Sequence, residues 1–183
     1  MTTNRVPLID RNATTADRKA LLDPIHAAFG TTPNMFRAVA NSPAALKSMW
    51  SAFGALGGGV IASKLGEQIA VAVADRNACE YCLAAHTALG RKAGASAEEM
   101  QHAQAGESTD AKTQAALRFA LKVVNDRGQV GDTDVQALRA VGFGDEEIVE
   151  ILAHVALNLF TNYVNVAFAV PVDFPAVKLR HAA

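Results

Sequence analysis

Residues that break or cap helices divide this sequence into segments that are otherwise rich in strong helix formers. The breaks include Gly30, the three glycines at 57–59, Gly94 and Pro171. Ala, Leu, Glu, Gln and Lys dominate the segments between them, whereas β-branched residues come in short clusters. Intrinsic propensity therefore favours helix, with few strands, and we predict an all-α fold.

The capping residues and breaks also predict where the helices lie. We expect helices from about Thr15 to Phe29, Pro33 to Asn41, Pro43 to Leu56, Lys64 to Ala78, Cys79 to Gly94 and Thr109 to Asn125, short helices that start near Ser96 and Asp132, and a long helix from about Glu146 to Val170. Ser63, Thr109, Asp132 and Asp145 are the predicted caps of four of these helices. Pro24 is expected to break or kink the first one.

The length and composition of the chain predict one domain. Compact domains commonly hold ~100–200 residues, and this chain has 183 residues, of which 50% are hydrophobic and 19% charged. Such a balance is typical of a globular protein that buries a core. We therefore predict a single domain over residues 1–183.

Charge and hydropathy exclude several kinds of partner. The net charge is −1 and neither sign forms a long run, so we expect no nucleic-acid partner and no anionic membrane surface. The longest apolar stretch, 148–170, contains Glu150, His154 and three asparagines, which would be costly inside a bilayer. No apolar segment of the kind that a secretory signal needs follows Arg5. We expect a cytoplasmic protein with no membrane span.

The two cysteines, Cys79 and Cys82, are separated by two residues. They are too few and too close together to stabilise a secreted fold through disulfide bonds. They therefore predict redox or metal chemistry in a reducing compartment. On a helix that starts near Cys79, His86 lies on the same face, one turn beyond Cys82. The helix dipole and the imidazole both favour thiolate. The short spacer also lets a disulfide close within one helical turn.

This geometry suggests a division of labour between the two thiols. A thiolate attacks a peroxide oxygen or a partner's disulfide, and the neighbouring thiol resolves the product into an intramolecular disulfide. We assign Cys82 as the attacker, because it is nearer His86, and Cys79 as the resolver. The opposite assignment has its own physical reason, since Cys79 receives the larger dipole effect. The residues alone leave both assignments open.

The segment from Leu65 to Gly94, with Glu67 eleven residues before the C-x-x-C motif and His86 after it, resembles the alkylhydroperoxidase D and carboxymuconolactone decarboxylase superfamily. The likeness extends from about residue 29 to 174, through FGTTPNMFRAVANSP, ADRNACEYCLAAH and NLFTNYVNVAFAVPVDFP. It implies an alkylhydroperoxidase D-like helical bundle in which a helical hairpin carries the C-x-x-C site. It further implies a homo-oligomer, either a trimer or a hexamer.

The resemblance also implies an activity and a set of site residues. The activity is that of an alkyl hydroperoxide reductase-like peroxidase, which reduces a small hydroperoxide with a thiol or dithiol reductant and needs no cofactor or metal. Glu67 matches the family's proton-relay carboxylate and His86 its relay histidine. Cys82 matches the peroxide-attacking thiol and Cys79 the resolving thiol. Tyr81 replaces a histidine of the characterised pattern. It does not titrate near neutrality, but it can donate a hydrogen bond, so it is a possible relay or pocket residue.

The last predicted helix carries a second polar pattern. Glu150, His154, Asn158, Asn162 and Asn165 recur at steps of three or four within apolar sequence. His154, Asn158 and Asn162 are candidate pocket or relay residues, because a buried polar stripe has to be hydrogen-bonded. The same stripe would equally suit a subunit seam or a solvent-facing helix edge.

Three other functions compete with the peroxidase hypothesis. Two thiolates with His86 and Glu67 would supply four zinc ligands, although structural zinc usually takes a ligand pair from each of two separate elements. The thiols would alternatively be structural in a non-catalytic helical oligomer. The third alternative, again implied by the resemblance, is a carboxymuconolactone-type decarboxylase that acts through acid and base residues without thiols. The paired cysteines favour redox chemistry over each of these.

Overall fold

Nine α-helices form all the regular secondary structure of the described residues, 4–180, in this computed structural model. They are α1 (Ala16–Phe29), α2 (Asn34–Val39), α3 (Pro43–Gly57), α4 (Ser63–Arg76), α5 (Glu80–Lys92), α6 (Ala97–Gln104), α7 (Ala111–Asn125), α8 (Asp132–Ala140) and α9 (Asp145–Ala167). The all-α prediction is confirmed. Gly30 ends α1 with a φ of 73°, which is the left-handed conformation that favours glycine after a helix.

Two of the predicted helix starts are displaced by one residue. Ser63 does not cap α4 but is its first residue, and Ala62 is the N-cap. Asp110 caps α7 in place of Thr109, because its carboxylate accepts the Thr113 N–H at 2.8 Å. A carboxylate at this position also interacts favourably with the positive end of the helix dipole.

The predicted caps of α8 and α9 are also displaced by one residue. Gly131 and Gly144 are the N-caps, and the predicted Asp132 and Asp145 are already helical. Each glycine N–H donates, at 2.8 Å, to the acidic side chain three residues further on. The first helical turn therefore supplies the capping bond, and no side chain is needed at the cap itself. The first helix also differs from expectation, since α1 runs through Pro24 without a break.

The centre of the bundle is α4, which packs against α5, α6, α7 and α9. Residues 68–75 of α4 are all buried, and alternate positions from Ala70 to Ala74 are alanines. Small side chains around the whole circumference let four neighbouring helices approach one axis closely. The two other helices that carry candidate site residues, α5 and α9, are therefore held against α4.

The helices α4 and α5 form the predicted hairpin. Its turn is Asn77–Cys79, and Ala78 adopts a φ of 52°, a left-handed conformation that is uncommon outside glycine and asparagine. The Cys79 N–H donates to the Ala74 carbonyl at 2.9 Å, which closes the end of α4. This tight reversal sets Cys79 at the start of α5.

The loop before α4 is held by one side chain of α9. The Glu150 carboxylate accepts the N–H groups of Val60, at 2.8 and 3.0 Å, and of Ile61, at 2.7 Å. A Cβ atom at Gly59 would overlap this carboxylate. The absence of a side chain at Gly59 therefore allows the contact that joins α9 to the entry of α4.

We expect the substitution Gly59→Ala to destabilise the protein by about 1–3 kcal/mol, because the displaced carboxylate leaves backbone donors without a partner. Gly54→Ala is the matched control, since nothing lies within 4 Å of a Cβ at that position in α3. There the added methyl should stabilise the helix by up to ~1 kcal/mol. Chemical denaturation of the two variants and the wild type measures both effects, and equal stability of the two variants would contradict the role of Glu150.

No helix within residues 4–180 is long and apolar enough to cross a bilayer.

Candidate active site

The two cysteines lie at the first turn of α5. Cys79 is the N-cap of the helix, and its sulfur accepts the backbone N–H of Cys82 at 3.3 Å. The side chains of Cys79 and Cys82 also lie within hydrogen-bonding reach of each other. Both residues are buried, with exposed fractions of 1% and 2%. The spacing inferred from the sequence therefore brings the two sulfurs together in a protected position.

The Cys82 sulfur is surrounded by groups that stabilise negative charge. Asn165 donates to it from Nδ2 at 3.1 Å, and the Asn162 amide lies beside it. Burial raises the pKa of Cys82, but the hydrogen bond from Cys79, the charge of His86 and the two amides outweigh burial and lower this pKa to about 7. A substantial share of Cys82 is therefore thiolate at neutral pH.

The Cys79 thiol has the opposite character. Its hydrogen bond to Cys82 raises its pKa, and burial and the Cys82 charge raise it further. A proton shared between the two sulfurs therefore stays on Cys79 and the negative charge on Cys82. This asymmetry favours Cys82 as the attacking thiol and opposes the alternative that rested on the helix dipole alone.

His86 is held by a carboxylate from the neighbouring helix. Its Nδ1 lies 2.7 Å from Oε2 of Glu67 on α4, and the His86 side chain is only 12% exposed. Burial lowers the pKa of His86, but the Glu67 charge and hydrogen bond outweigh burial and raise it. The charged imidazole is thus stabilised near Cys82. Because Nδ1 faces Glu67, the other ring nitrogen is the one left for substrate.

A cavity adjoins Cys82 and His86. Its empty volume is about 390 Å³, part of which opens to solvent. The remaining lining is almost wholly apolar and mainly aromatic: Phe29, Pro33, Met35, Phe36, Phe53, Tyr81, Ala85, Leu89, Thr161 and Phe174. We call this space the substrate cavity.

Tyr81 is a wall of the substrate cavity. Its hydroxyl accepts the Met35 N–H at 3.2 Å, and its ring meets Phe174 edge-on with centroids 5.7 Å apart. Burial raises the pKa of Tyr81, so the phenol stays neutral. A hydroxyl bound to the Met35 backbone does not connect the sulfurs to His86, and the candidate relay role of Tyr81 lacks the necessary contact.

The polar stripe of α9 lies inside the protein rather than at a solvent edge. Asn162 and Asn165 are buried, and Asn165 donates to the sulfur of Cys82. Asn162 also accepts the side-chain N–H of Asn77 at 3.0 Å, which ties α9 to the hairpin turn. Asn158 is buried as well, but its amide donates to the His154 carbonyl of its own helix at 2.9 Å. It serves the helix backbone rather than the thiols.

His154 packs against the start of α4. The ring carbon Cε1 would lie 3.2 Å from a Cβ at Gly66, so glycine permits the close approach. Burial is the main reason for the lowered pKa of His154, and the nearby charge of His86 adds to it. His154 is therefore a neutral neighbour of the His86–Glu67 pair, with no hydrogen bond to either among the described contacts.

Asn165 was not selected as a candidate site residue from the sequence, although it makes the direct contact with the Cys82 sulfur. The signal was present, because Asn158, Asn162 and Asn165 recur at helical spacing in apolar sequence. That period identifies a shared face but does not show which member of the face meets Cys82 across the bundle.

The zinc alternative required two thiolates, His86 and Glu67 to converge on one point. Glu67 instead binds the imidazole of His86. Among residues 4–180 no group of three or more His, Cys, Asp and Glu side chains is arranged to hold a metal ion. The geometry of the donor set favours proton transfer over metal binding.

Comparison with known proteins adds the family. The carboxymuconolactone decarboxylase family model matches residues 43–126, from the start of α3 to the end of α7. Over 94% of each chain, the protein is similar to the alkylhydroperoxidase AhpD core of a peroxidase-related protein from Ralstonia eutropha, with a TM-score of 0.83 and 26% identity. Both matches support the alkylhydroperoxidase D and carboxymuconolactone decarboxylase superfamily for this chain.

Other solved structures of the same fold extend the comparison. A peroxidase-related protein from Silicibacter sp. has a TM-score of 0.79 and 25% identity, over 91% of this chain and 88% of that one. A debrominase has a TM-score of 0.77 over 94% of this chain and 93% of that one, and its 19% identity shows the fold alone. No curated protein matches the chain significantly. Enzymes are thus known on this superfamily's fold.

We expect Asn165→Ala to raise the pKa of Cys82 by about 1–2 units, since a hydrogen bond to a charged group contributes ~1.5–3 kcal/mol and one unit is ~1.4 kcal/mol. The rate of iodoacetamide alkylation against pH, read at Cys82 by mass spectrometry, measures the shift. Asn158→Ala is the matched control on the same helix and should leave the profile in place. Equal profiles for both variants would contradict the stabilising role of Asn165.

Proposed function

We propose that this protein is a thiol peroxidase, with disulfide oxidoreductase activity, that reduces small hydroperoxides through a Cys79–Cys82 dithiol/disulfide cycle. One observation carries the proposal: the sulfur with the lowered pKa, Cys82, lines a cavity with His86, while the protonated thiol of Cys79 lies within its reach. The peroxidase-related relatives support this type of reaction.

The first step breaks the peroxide bond. The Cys82 thiolate attacks the terminal oxygen of the hydroperoxide, the O–O bond cleaves, and Cys82 becomes a sulfenic acid. The alkoxide that leaves takes a proton from the His86 imidazolium and departs as an alcohol. Glu67 holds His86 in orientation and favours its charged form before the step.

The second step forms the disulfide. The Cys79 sulfur attacks the sulfur of the Cys82 sulfenic acid, and the S–O bond breaks. The hydroxyl group leaves as water with the proton that Cys79 had kept. The two thiols have then lost two electrons to the peroxide, and an external dithiol restores them by disulfide exchange.

The substrate cavity points to the kind of peroxide. Aromatic and aliphatic side chains form most of its wall. A small apolar organic hydroperoxide fits such a site better than a charged one, because an ionised group would lose its hydration without a partner.

Cysteine variants test the cycle. Cys82→Ser should abolish peroxide turnover with any dithiol donor, and Cys79→Ser should allow one peroxide to react and then stop at the sulfenic acid. Cumene hydroperoxide consumption and trapping of the sulfenic acid with dimedone measure the two outcomes. Retained turnover in Cys82→Ser would reverse the assignment of the attacker. Undiminished turnover in both variants would remove the thiol mechanism and leave decarboxylation or a non-catalytic role.

We expect Glu67→Gln to lower the pKa of His86, since the neutral amide no longer stabilises the imidazolium. At pH 7 less His86 is charged, the pKa of Cys82 rises, and the rate of reaction with peroxide falls about tenfold or more. Acidification restores the charged imidazole but protonates Cys82, so the pH range of full activity narrows. Stopped-flow rates from pH 5 to 9 measure this profile, and the exposed Glu98→Gln in α6 is the matched control.

The aromatic lining favours a second candidate substrate class, halogenated aromatic compounds. A structural neighbour, the debrominase, has been solved with 2,3,4-tribromopyrrole bound. In such a reaction the Cys82 thiolate takes the halogen from carbon to form a sulfenyl halide, and the carbon keeps the bonding electron pair and takes up a proton. The Cys79 sulfur then loses its proton and displaces halide to form the disulfide. Bromide release from a bromopyrrole, coupled to disulfide formation, tests this reaction in the same preparation.

The surface of α9 supports self-association, which we include in the proposal as a trimer or hexamer. Its exposed side chains include Val149, Leu152, Phe160 and Tyr163, at steps that keep them along one side of the helix. A continuous apolar stripe of this kind is typical of an interface between subunits. A second copy of the chain is a suitable occupant. An isologous contact through this stripe would pair subunits, as in a hexamer, whereas a trimer would pack the stripe against a different face of the next copy.

We expect Tyr163→Glu, on the exposed stripe of α9, to dissociate the oligomer, since the charge would lose its hydration in an apolar interface. Multi-angle light scattering after gel filtration measures the mass of the particle. Gln136→Glu, on the exposed surface of α8, is the control and should keep the wild-type mass. A wild-type protein that is monomeric at all concentrations would contradict the assembly.

A further inference from the structure

The two cysteines contribute to the linings of different spaces near the first turn of α5. Cys82 lines the substrate cavity, whereas Cys79 lines a second depression, which we call the Cys79 groove. Residues that line this groove include Glu80, Asn165, Val166, Val172, Lys178 and Leu179. Tyr81 is the single residue common to both linings. Each thiol therefore has its own approach from outside.

Tyr81, which contributes to both linings, is fixed in place, since its hydroxyl accepts the Met35 N–H and its ring meets Phe174 edge-on. The chain from Phe174 continues along the groove to Leu179 and is fastened there. Gln104 donates to the Lys178 carbonyl at 2.9 Å, and the Arg180 N–H donates to the buried Asp75 carboxylate at 2.9 Å.

The Cys79 groove is wider and more polar than the substrate cavity. Its empty volume is about 1360 Å³, against about 390 Å³. Glu80 and Lys178 place one charge of each sign beside apolar Val172 and Leu179. This surface accommodates a bulky, partly polar molecule that the aromatic cavity would exclude.

We propose that the Cys79 groove is the binding site of the electron donor, a dithiol that attacks the Cys79 sulfur of the disulfide while the peroxide uses the separate substrate cavity. The proposal rests on the proposed function above, and it adds where the donor binds and which sulfur it attacks.

The chemistry of the leaving group supports attack at Cys79. Disulfide exchange is faster when the departing thiol is the more acidic one. Attack on Cys79 releases Cys82 as a thiolate, where Asn165 and His86 stabilise the charge. Attack on Cys82 would release the Cys79 thiolate, which receives the backbone N–H of Cys82 but no side-chain amide of the kind that Asn165 supplies to Cys82.

The exchange balances without a further reactant. The donor thiolate forms a bond to the Cys79 sulfur, the Cys79–Cys82 bond breaks, and Cys82 leaves with the electron pair. The second donor thiol, after losing its proton, attacks the donor sulfur of the mixed disulfide. Cys79 then departs and takes up a proton. The donor is oxidised to a cyclic disulfide and both cysteines are reduced.

The wild-type protein tests which sulfur is attacked. The disulfide form, prepared with diamide, is treated briefly with glutathione, a monothiol that cannot complete the second exchange, and is then quenched with N-ethylmaleimide. Tandem mass spectrometry of the peptide Asn77–Arg91 locates each adduct. We expect glutathione on Cys79 and maleimide on Cys82. The reverse pattern would overturn the proposal.

A groove variant tests where the donor binds. Val172→Trp adds bulk to an exposed groove residue (41% exposed) that lies outside the substrate cavity. We expect reduction of the disulfide by dithiothreitol to slow about tenfold or more, while the reaction of the reduced protein with cumene hydroperoxide stays within about twofold. Gln136→Trp on α8, which packs mainly on α7, is the matched control. Unchanged reduction, or equal slowing of both half-reactions, would overturn the donor site.

These measurements separate the donor site from the proposed peroxidase activity. Because diamide supplies the disulfide, the adduct map and the rate of reduction are obtained whether or not peroxide oxidises the protein. Absence of a reaction with any hydroperoxide would contradict the proposed function alone. Glutathione on Cys82 in a protein that does reduce peroxides would contradict the donor site alone.

Discussion

The tight reversal between α4 and α5 is the constraint on which the candidate site depends. It sets Cys79 at the start of α5, and the antiparallel course of the hairpin then brings His86 level with Glu67. The reversal requires Ala78 in a left-handed conformation, which costs roughly 1–2 kcal/mol. Closure of α4 by the Cys79 N–H and the contacts of α5 with α4 offset that strain. Backbone geometry thus positions the sulfurs before any side chain interacts with them.

Much of this arrangement can be predicted from the sequence, because it depends on residues that are close together in the chain. Three positions on one helix, 79, 82 and 86, share a face at any standard helical geometry. Helix existence followed equally well from composition and breaks. The exact N-cap residues did not follow from the sequence. At Gly131 and Gly144 the glycine N–H is bound by an acidic side chain in the first helical turn, and propensity alone does not distinguish this arrangement from an Asp at the N-cap.

Contacts between segments that are distant in the chain could not be predicted from the sequence. Asn165 lies 83 residues from Cys82. The helical spacing of the asparagines identifies the face of α9 on which they lie, but it does not identify the residue that this face contacts. The position of Tyr81 next to Cys82 does not show that its hydroxyl accepts the backbone N–H of Met35, 46 residues away. The division between cavity and groove depends on the chain after Pro171, where the sequence has no periodic pattern to interpret.

The amides beside Cys82 are uncharged, and this has an electrostatic consequence. A lysine or arginine in their place would become an uncompensated buried cation whenever sulfur lost its negative charge. The asparagine side chains carry only dipoles, so they leave no uncompensated charge beside the sulfur. The remaining positive partner, the His86 imidazolium, stays paired with Glu67 or gives up its proton. In the proposed cycle, local neutrality would therefore be preserved as the oxidation state of sulfur changes.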